Sequence, residues 1–183
     1  MYSRTSEPVR FERDCAAVLV PQGDPVTLPA GSAGYITQAL GGSYTVFVEG
    51  NLFRIAGKDA DAIGKEVPPP IELADGADET EVEKLVWQQL RTCFDPEIPI
   101  NIVDLGLVYE AVVKPVGDGQ RTVEIRMTLT APGCGMGEII VDDVRSRLEV
   151  IPTVAEADVE LVFDPPWHAG MMSEAARLET GMF

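Results

Sequence analysis

Between residues 121 and 151 the hydrophobic period of this chain changes once and abruptly, which dictates a strand running straight into a helix. Val123, Ile125, Met127 and Leu129 alternate with Glu124, Arg126, Thr128 and Thr130, the two-residue period of a half-buried strand. Met136, Ile140, Val144, Leu148 and Ile151 then recur at helical spacing, with Glu138, Asp142, Asp143, Arg145 and Arg147 on the wet side. The junction reads Ala131-Pro132-Gly133-Cys134-Gly135-Met136-Gly137. A thiol at that position faces the partly positive end of a helix and its unpaired backbone N–H groups. Both favour the thiolate, the form that attacks electrophiles and binds soft metals. Three glycines keep the surroundings clear of side chains, so Cys134 is expected to be presented rather than packed.

The remaining composition narrows the function classes. Lys+Arg 14 against Asp+Glu 30 gives a formal charge of −16, a surface that repels phosphate backbones and anionic lipid, so neither nucleic acid nor membrane is expected as a partner. A hydrophobic content of 45% in 183 residues supports a full domain and a small companion. Cys15, Cys93 and Cys134 are an odd number with no C-x-x-C spacing, which argues against a disulfide framework or a closed zinc site and suits a reducing compartment. The first eight residues lack the apolar core of a signal peptide, and no segment is apolar for long enough to span a bilayer. The expected location is cytoplasmic.

Val67-Pro68-Pro69-Pro70 and the acidic run that follows read as a linker. The expected organisation is a small, mostly-β module over residues 1–67, a Pro/acidic linker over 68–78, and an α+β domain with a C-terminal tail over 79–183. In the first part, strands are expected at 15–20, 26–28, 34–39, 43–49 and 52–55, with tight turns at Gly41-Gly42 and Gly50-Asn51 and a short helical or turn segment at 58–65. In the second part, Thr80-x-x-Glu83 has capping-box form, and Val82, Leu85, Val86, Gln89, Leu90 and Cys93 follow one helical face. Strands at 107–114, 121–130 and 157–163 complete an α-β-β-α-β order, a small sheet with helices on one side. The fold class is therefore α+β.

Several residues have both a structural and a chemical reading. Cys15 and Cys93 continue apolar faces and are expected in the core. Asp95, Glu97 and Asp104 stand at element boundaries, where capping and turn formation are the ordinary role of a short carboxylate. Their chemical reading is as metal ligands beside Cys134, or as a general base. Asn101 likewise suits a turn. His168, the one histidine, is expected to be solvated. Trp167, Met171, Met172, Met182 and Phe183 make an apolar tail that either folds back over the core or docks a partner. Thr128, Thr130, Gly133 and Gly135 would supply hydroxyl and N–H groups to a sulfur or carboxylate ligand at Cys134.

Asp95-Pro96-Glu97-Ile98-Pro99, followed by Asn101-Ile102-Val103-Asp104-Leu105-Gly106-Leu107-Val108-Tyr109, resembles a signature of the metal–sulfur cluster biosynthesis family, which includes PaaD-like proteins and the eukaryotic cytosolic iron–sulfur targeting factors. The threonine-rich strand end running into Cys134 resembles its second signature, although many members continue Cys-Pro where this chain has Cys134-Gly135. Asp164-Pro165-Pro166-Trp167 and Met172-Ser173-Glu174-Ala175-Ala176-Arg177 are a third match. In the N-terminal module, residues 36–46 and 60–64 resemble the bacterial SufT branch, which carries an extra domain.

The resemblance implies an auxiliary factor in iron–sulfur protein maturation, with the assembly machinery and apo-client proteins as partners. One thiolate cannot hold a cluster, since iron–sulfur centres usually take four protein ligands. Iron or a labile iron–sulfur cluster at Cys134 would need a second chain, an external thiol, or carboxylate and water to complete it; a homodimer is one such arrangement. The competing classes are a thiol-dependent enzyme with Cys134 as nucleophile and a pure adaptor in which Cys134 is structural. Against the enzyme, there is no plausibly placed histidine base other than His168 and the motif has no resolving cysteine, so that a carboxylate such as Asp104 would serve only with a raised pKa.

Overall fold

A computed structural model describes residues 6–95, 98–133 and 135–182. The chain divides into two compact units, Met1–Pro70 and Ile71–Phe183.

The first unit is one antiparallel six-stranded sheet: β1 (Glu7–Arg10), β2 (Cys15–Val20), β3 (Pro25–Leu28), β4 (Ala33–Leu40), β5 (Ser43–Val48) and β6 (Asn51–Ile55), in the order β1-β4-β5-β6-β2-β3. Its inner face carries Cys15, Ala17, Ile36, Val46, Val48, Phe53 and Ile55, which share a buried cluster with Phe11, Ala62 and Ile63. The expected turn segment is a 3₁₀ helix, Gly57–Ile63. Arg13 pins it with hydrogen bonds to Asp61 (2.7 Å) and Asp59 (3.0 Å). Strand β1 was not expected from the sequence. Three of its four residues are exposed and it contains Pro8, so no alternation marks it; only pairing with β4 makes it a strand. The tight turn after β5 falls on Glu49 and Gly50, both at positive φ, one residue earlier than the Gly50-Asn51 dipeptide suggests, and Asn51 joins β6.

The second unit contains α1 (Glu79–Leu90), β7 (Val108–Gly117), β8 (Gln120–Met127), α2 (Gly137–Glu149), β9 (Val154–Leu161) and α3 (Glu174–Thr180). The α-β-β-α-β order and the small sheet are as expected. The sheet order is β7-β8-β9, with β7 and β8 antiparallel and β8 and β9 parallel. A parallel neighbour requires a crossover, and α2 is that crossover. Helix α1 is capped two residues earlier than Thr80-x-x-Glu83 suggests. Asp78 accepts the Glu81 N–H and the Glu81 carboxylate accepts the Asp78 N–H, a reciprocal box just ahead of the buried Val82. The acidic run before α1 is held to the second unit. Ile71 and Leu73 pack against its core, and Arg121 donates to the Ala77 carbonyl oxygen at 2.6 Å.

Val82, Val86 and Leu90 of α1 and Ile140, Val144 and Leu148 of α2 share one core with Val123, Ile125 and Met127 of β8. Arg147 ties α2 to the end of α1 through Thr92 Oγ1 (2.9 Å). Both remaining cysteines are interior, Cys15 at 0% and Cys93 at 1% exposure. Burial pushes the Cys15 thiol above its ordinary range, and the charge of Asp59 adds to the effect. Iodoacetamide at pH 8 is therefore expected to leave Cys15 and Cys93 unmodified in the native chain and to label both on unfolding. Peptide mapping that finds either modified before global unfolding would contradict this burial.

Candidate functional site

Strand β8 ends at Met127, three residues before the apolar alternation stops. The reason is a change of partner. The Thr128 N–H donates to the Leu107 carbonyl oxygen (2.8 Å), and the chain leaves the ladder there. Leu129 is buried, whereas Ala131, Pro132, Gly133 and Gly135 are exposed; Met136 and Gly137 are buried again where α2 begins. The turn is thus an exposed bend on a buried base. Gly133 takes φ +78, and a Cβ built at Gly133 or Gly135 meets nothing within 4 Å, so open space flanks position 134 on both sides of the sequence.

Helix α2 has no side-chain cap. Met136 is its N-cap residue and accepts no N–H bond through its side chain. By contrast, α1 has the Asp78 box and α3 is capped by Ser173. Among the described residues, the N-cap position of α2 thus gives its first-turn N–H groups no side-chain acceptor. Thr128 is 1% exposed, and its Oγ1 has no hydrogen-bond partner among the described residues. A hydroxyl buried in that state costs roughly 1–3 kcal/mol, which marks it as the polar group here most in need of a partner. Sequence patterning hid this, because alternation assigned Thr128 to the wet face.

The segment before β7 is a closed loop. Phe94 and Asn101 form an isolated antiparallel bridge. Asp95 is buried and accepts the Ile98 N–H (2.9 Å). Asn101 organises the next turn. Its Oδ1 accepts the Val103 and Asp104 N–H groups, and its Nδ2 donates to Asp104 Oδ2 at 2.6 Å. The C-terminal tail folds over this loop. Trp167 Nε1 donates to the Leu105 carbonyl oxygen (2.7 Å), and the Ser173 N–H donates to that of Asp104 (2.8 Å). Tyr109 donates to the Pro165 carbonyl oxygen (2.8 Å). Met172 is 3% exposed in the core, while Met182 is exposed. Of the two readings of the tail, folding back is therefore the one taken by Trp167 and Met172. His168 is exposed, and its Nδ1 accepts the Gly170 N–H (3.1 Å).

Cys134 and Glu97, like Phe183, lie outside the described residues. Asp95 and Asp104 both carry the turn bonds expected of boundary carboxylates, and Thr130 is half-buried at the turn's edge. Among the described residues, no three His, Cys, Asp or Glu side chains converge as a metal site. The Thr128–Leu107 bond brings the end of the 101–107 loop beside the start of the glycine turn.

The pattern of the family described as "Iron-sulfur cluster assembly protein" matches residues 83–160, within the second unit and from α1 into β9. A Porphyromonas gingivalis protein named Fe-S protein maturation auxiliary factor is 43% identical over 101 residues, 55% of this chain and 92% of that protein. The Staphylococcus aureus Fe-S protein maturation auxiliary factor SufT is 42% identical over 88 residues, 48% of this chain and 96% of that protein. The crystal structure of a domain of unknown function, DUF59, from Bacillus anthracis superposes with a TM-score of 0.51 at 34% identity, covering 57% of this chain and 96% of that one. The chain belongs to the iron–sulfur cluster assembly family, among its SufT-like members.

Two substitutions test the loop. Gly106 sits at φ +73, and a Cβ there would run into the Met171 backbone carbonyl. Gly106→Ala is expected to cost about 2–4 kcal/mol in denaturant unfolding; a change within error would mean that the tail does not lie on this loop. Asn101→Asp sets a second carboxyl against Asp104. The repulsion raises the folded-state pKa above the unfolded value of about 4, so the native state binds the extra proton more tightly. The variant is expected to be least stable, relative to the parent, at neutral pH and to regain stability as pH falls through that raised pKa. A deficit that stays flat from pH 7 to pH 4 would refute the contact.

Proposed function

We propose that this protein is a non-catalytic auxiliary factor in iron–sulfur protein maturation, taking up iron or a labile cluster at Cys134 and passing it to a docked apo-protein. The observation that carries the reading is the exposed glycine turn at the uncapped start of α2. It leaves room for a large, soft cargo and supplies backbone N–H groups to a thiolate. Family membership and the names of the relatives point the same way.

In this reading Thr128 and Thr130 offer hydroxyls, and Gly133 and Gly135 offer backbone N–H groups, to the sulfur of the cargo. Of these, Thr128 Oγ1 is buried and without a partner among the described residues. Asp95 and Asp104 act chiefly as loop formers that shape the neighbourhood, and Glu97 is kept with Cys134 as a ligand to be tested. A single thiolate supplies one of the four ligands that iron–sulfur centres take. The others come from the client, a small thiol, or a second copy of this chain. Such a cluster is easily handed on. Residues 1–67 serve as an accessory module, and the work is done among reduced thiols in the cytoplasm. Among the described residues, no helix is long and apolar enough to cross a membrane.

Anaerobic reconstitution with iron and sulfide, followed by visible absorption and transfer to an apo-ferredoxin, is the test. Absorption and transfer are expected with the parent and are expected to vanish in Cys134→Ala. A Cys134→Ala chain that loads and transfers like the parent would overturn the role of this thiol. No cluster under any condition would leave an adaptor, and iodoacetamide labelling of Cys134 that is rapid and indifferent to ferrous iron would favour a nucleophile.

A further inference from the structure

Strand β9 has β8 on one side and, among the described residues, no strand on the other. Its hydrogen-bond parity is fixed by two contacts. The Val162 N–H donates to Met127 on β8, whereas the Ala157 N–H points away from β8 and is held by Glu149 Oε1 at 3.4 Å. Alternation therefore turns the N–H and C=O groups of Val159 and Leu161 to the outer edge. Beside them lies an open groove of about 410 Å³ lined by Val159, Leu161 and the first turns of α2 at Glu138, Val141, Asp142 and Arg145. Its apolar lining is Val141, Val159 and Leu161, and it runs beside the end of α2 that follows the glycine turn.

The opposite face of the same edge is acidic. Glu156, Asp158 and Glu160 are all exposed, one at every second residue. Across the sheet, charge alternates along one row: Glu110 on β7, Arg126 on β8 and Glu160 on β9, with Arg126 bridging to Glu110 at 3.6 Å and Glu160 at 3.7 Å. The row ends on an acid, and Glu156 and Asp158 make no ion pair among the described residues. A second copy is a poor occupant, because β9 laid antiparallel on β9 would set one acidic row against another. The matching occupant is a strand whose outward side chains are basic and whose helix-side chains are apolar.

We infer that the free edge of β9 receives an extended segment of a client protein with alternating basic and apolar side chains, by strand addition. The segment pairs with the backbone of Val159 and Leu161. Its apolar side chains enter the groove against Val141, Val159 and Leu161, and its lysines or arginines continue the charge row beside Glu156, Asp158 and Glu160. Client main chain is thereby aligned along the strand that ends beside the turn carrying Cys134. The inference rests on the reading that clients dock on this body.

The full chain would be titrated with a fluorescent, end-capped peptide alternating lysine and valine, and with its glutamate–valine counterpart. Amide exchange at Val159 and Leu161 would be followed by NMR. The lysine–valine peptide is expected to bind and to slow exchange at both amides, while the glutamate–valine peptide does not bind. The triple variant Glu156→Lys, Asp158→Lys, Glu160→Lys is expected to weaken the lysine–valine peptide at least about tenfold and to bind the glutamate–valine peptide instead, since opposite-charge cross-strand pairs have become like-charge ones. Cys134→Ala is expected to bind the peptide as the parent does, which separates this site from cluster loading. Absence of binding, binding without protection of Val159 and Leu161, insensitivity to the triple variant, or protection arising from self-association without peptide would each overturn strand addition.

Discussion

Strand β8 is paired on both sides, antiparallel to β7 and parallel to β9, and its apolar row of Val123, Ile125 and Met127 lies in one core with both long helices. Each of these side chains is at most 1% exposed, and burial of a side chain of that size contributes about 1.5–3 kcal/mol. The parallel pairing forces the chain to cross over through α2 before β9 can be laid down. That crossover in turn places a strand end and a helix start within a few residues of each other. The glycine turn is where they meet, so the feature of chemical interest is a consequence of how the sheet is wired.

What surrounds the turn is buried or hydrogen-bonded, and the described residues that compose it are exposed. Leu129 and Met136 are buried on either side, while Ala131, Pro132, Gly133 and Gly135 stand in solvent. The neighbouring 101–106 loop is held from within by Asn101 and from outside by the tail, through Trp167 on Leu105 and Ser173 on Asp104. Most polar groups in this neighbourhood have found partners. Among the described residues, the buried Thr128 hydroxyl has no partner and the start of α2 has no side-chain cap. Unsatisfied groups beside an otherwise well-bonded loop are a physical reason to place cargo chemistry at this turn.

Charge is distributed unevenly along the chain. Residues 1–70 carry six Lys or Arg against eight Asp or Glu, and residues 71–183 carry eight against twenty-two. The acidity that repels phosphate backbones and anionic lipid therefore belongs mainly to the second unit, the one that carries the family match. Part of it is spent in local bonds, such as the Asp78–Glu81 box and the Asp143–Arg147 pair. Another part lines the outer face of β9, where alternating acids discourage self-pairing of an exposed edge. The same residues both protect that edge and select what is able to pair with it.

The sequence by itself determined the α+β class, the order of elements in the second unit, the interior place of Cys15 and Cys93, and the resemblance on which family membership was first read. These rest on short-range information: hydrophobic period, turn chemistry and motif spacing. It was silent on β1, whose four mostly exposed residues become a strand only against β4. It placed the cap of α1 two residues late, because Asp78-x-x-Glu81 overlaps Thr80-x-x-Glu83 and the structure forms the earlier box. At the candidate site it identified the glycine turn and the turn-forming habit of Asp95, Asn101 and Asp104. The closure of the loop by Trp167 and Ser173, the stranded hydroxyl of Thr128 and the free edge of β9 were decided by tertiary structure alone. Each joins groups far apart in the chain or depends on which partner is absent, and no local pattern of residues encodes either.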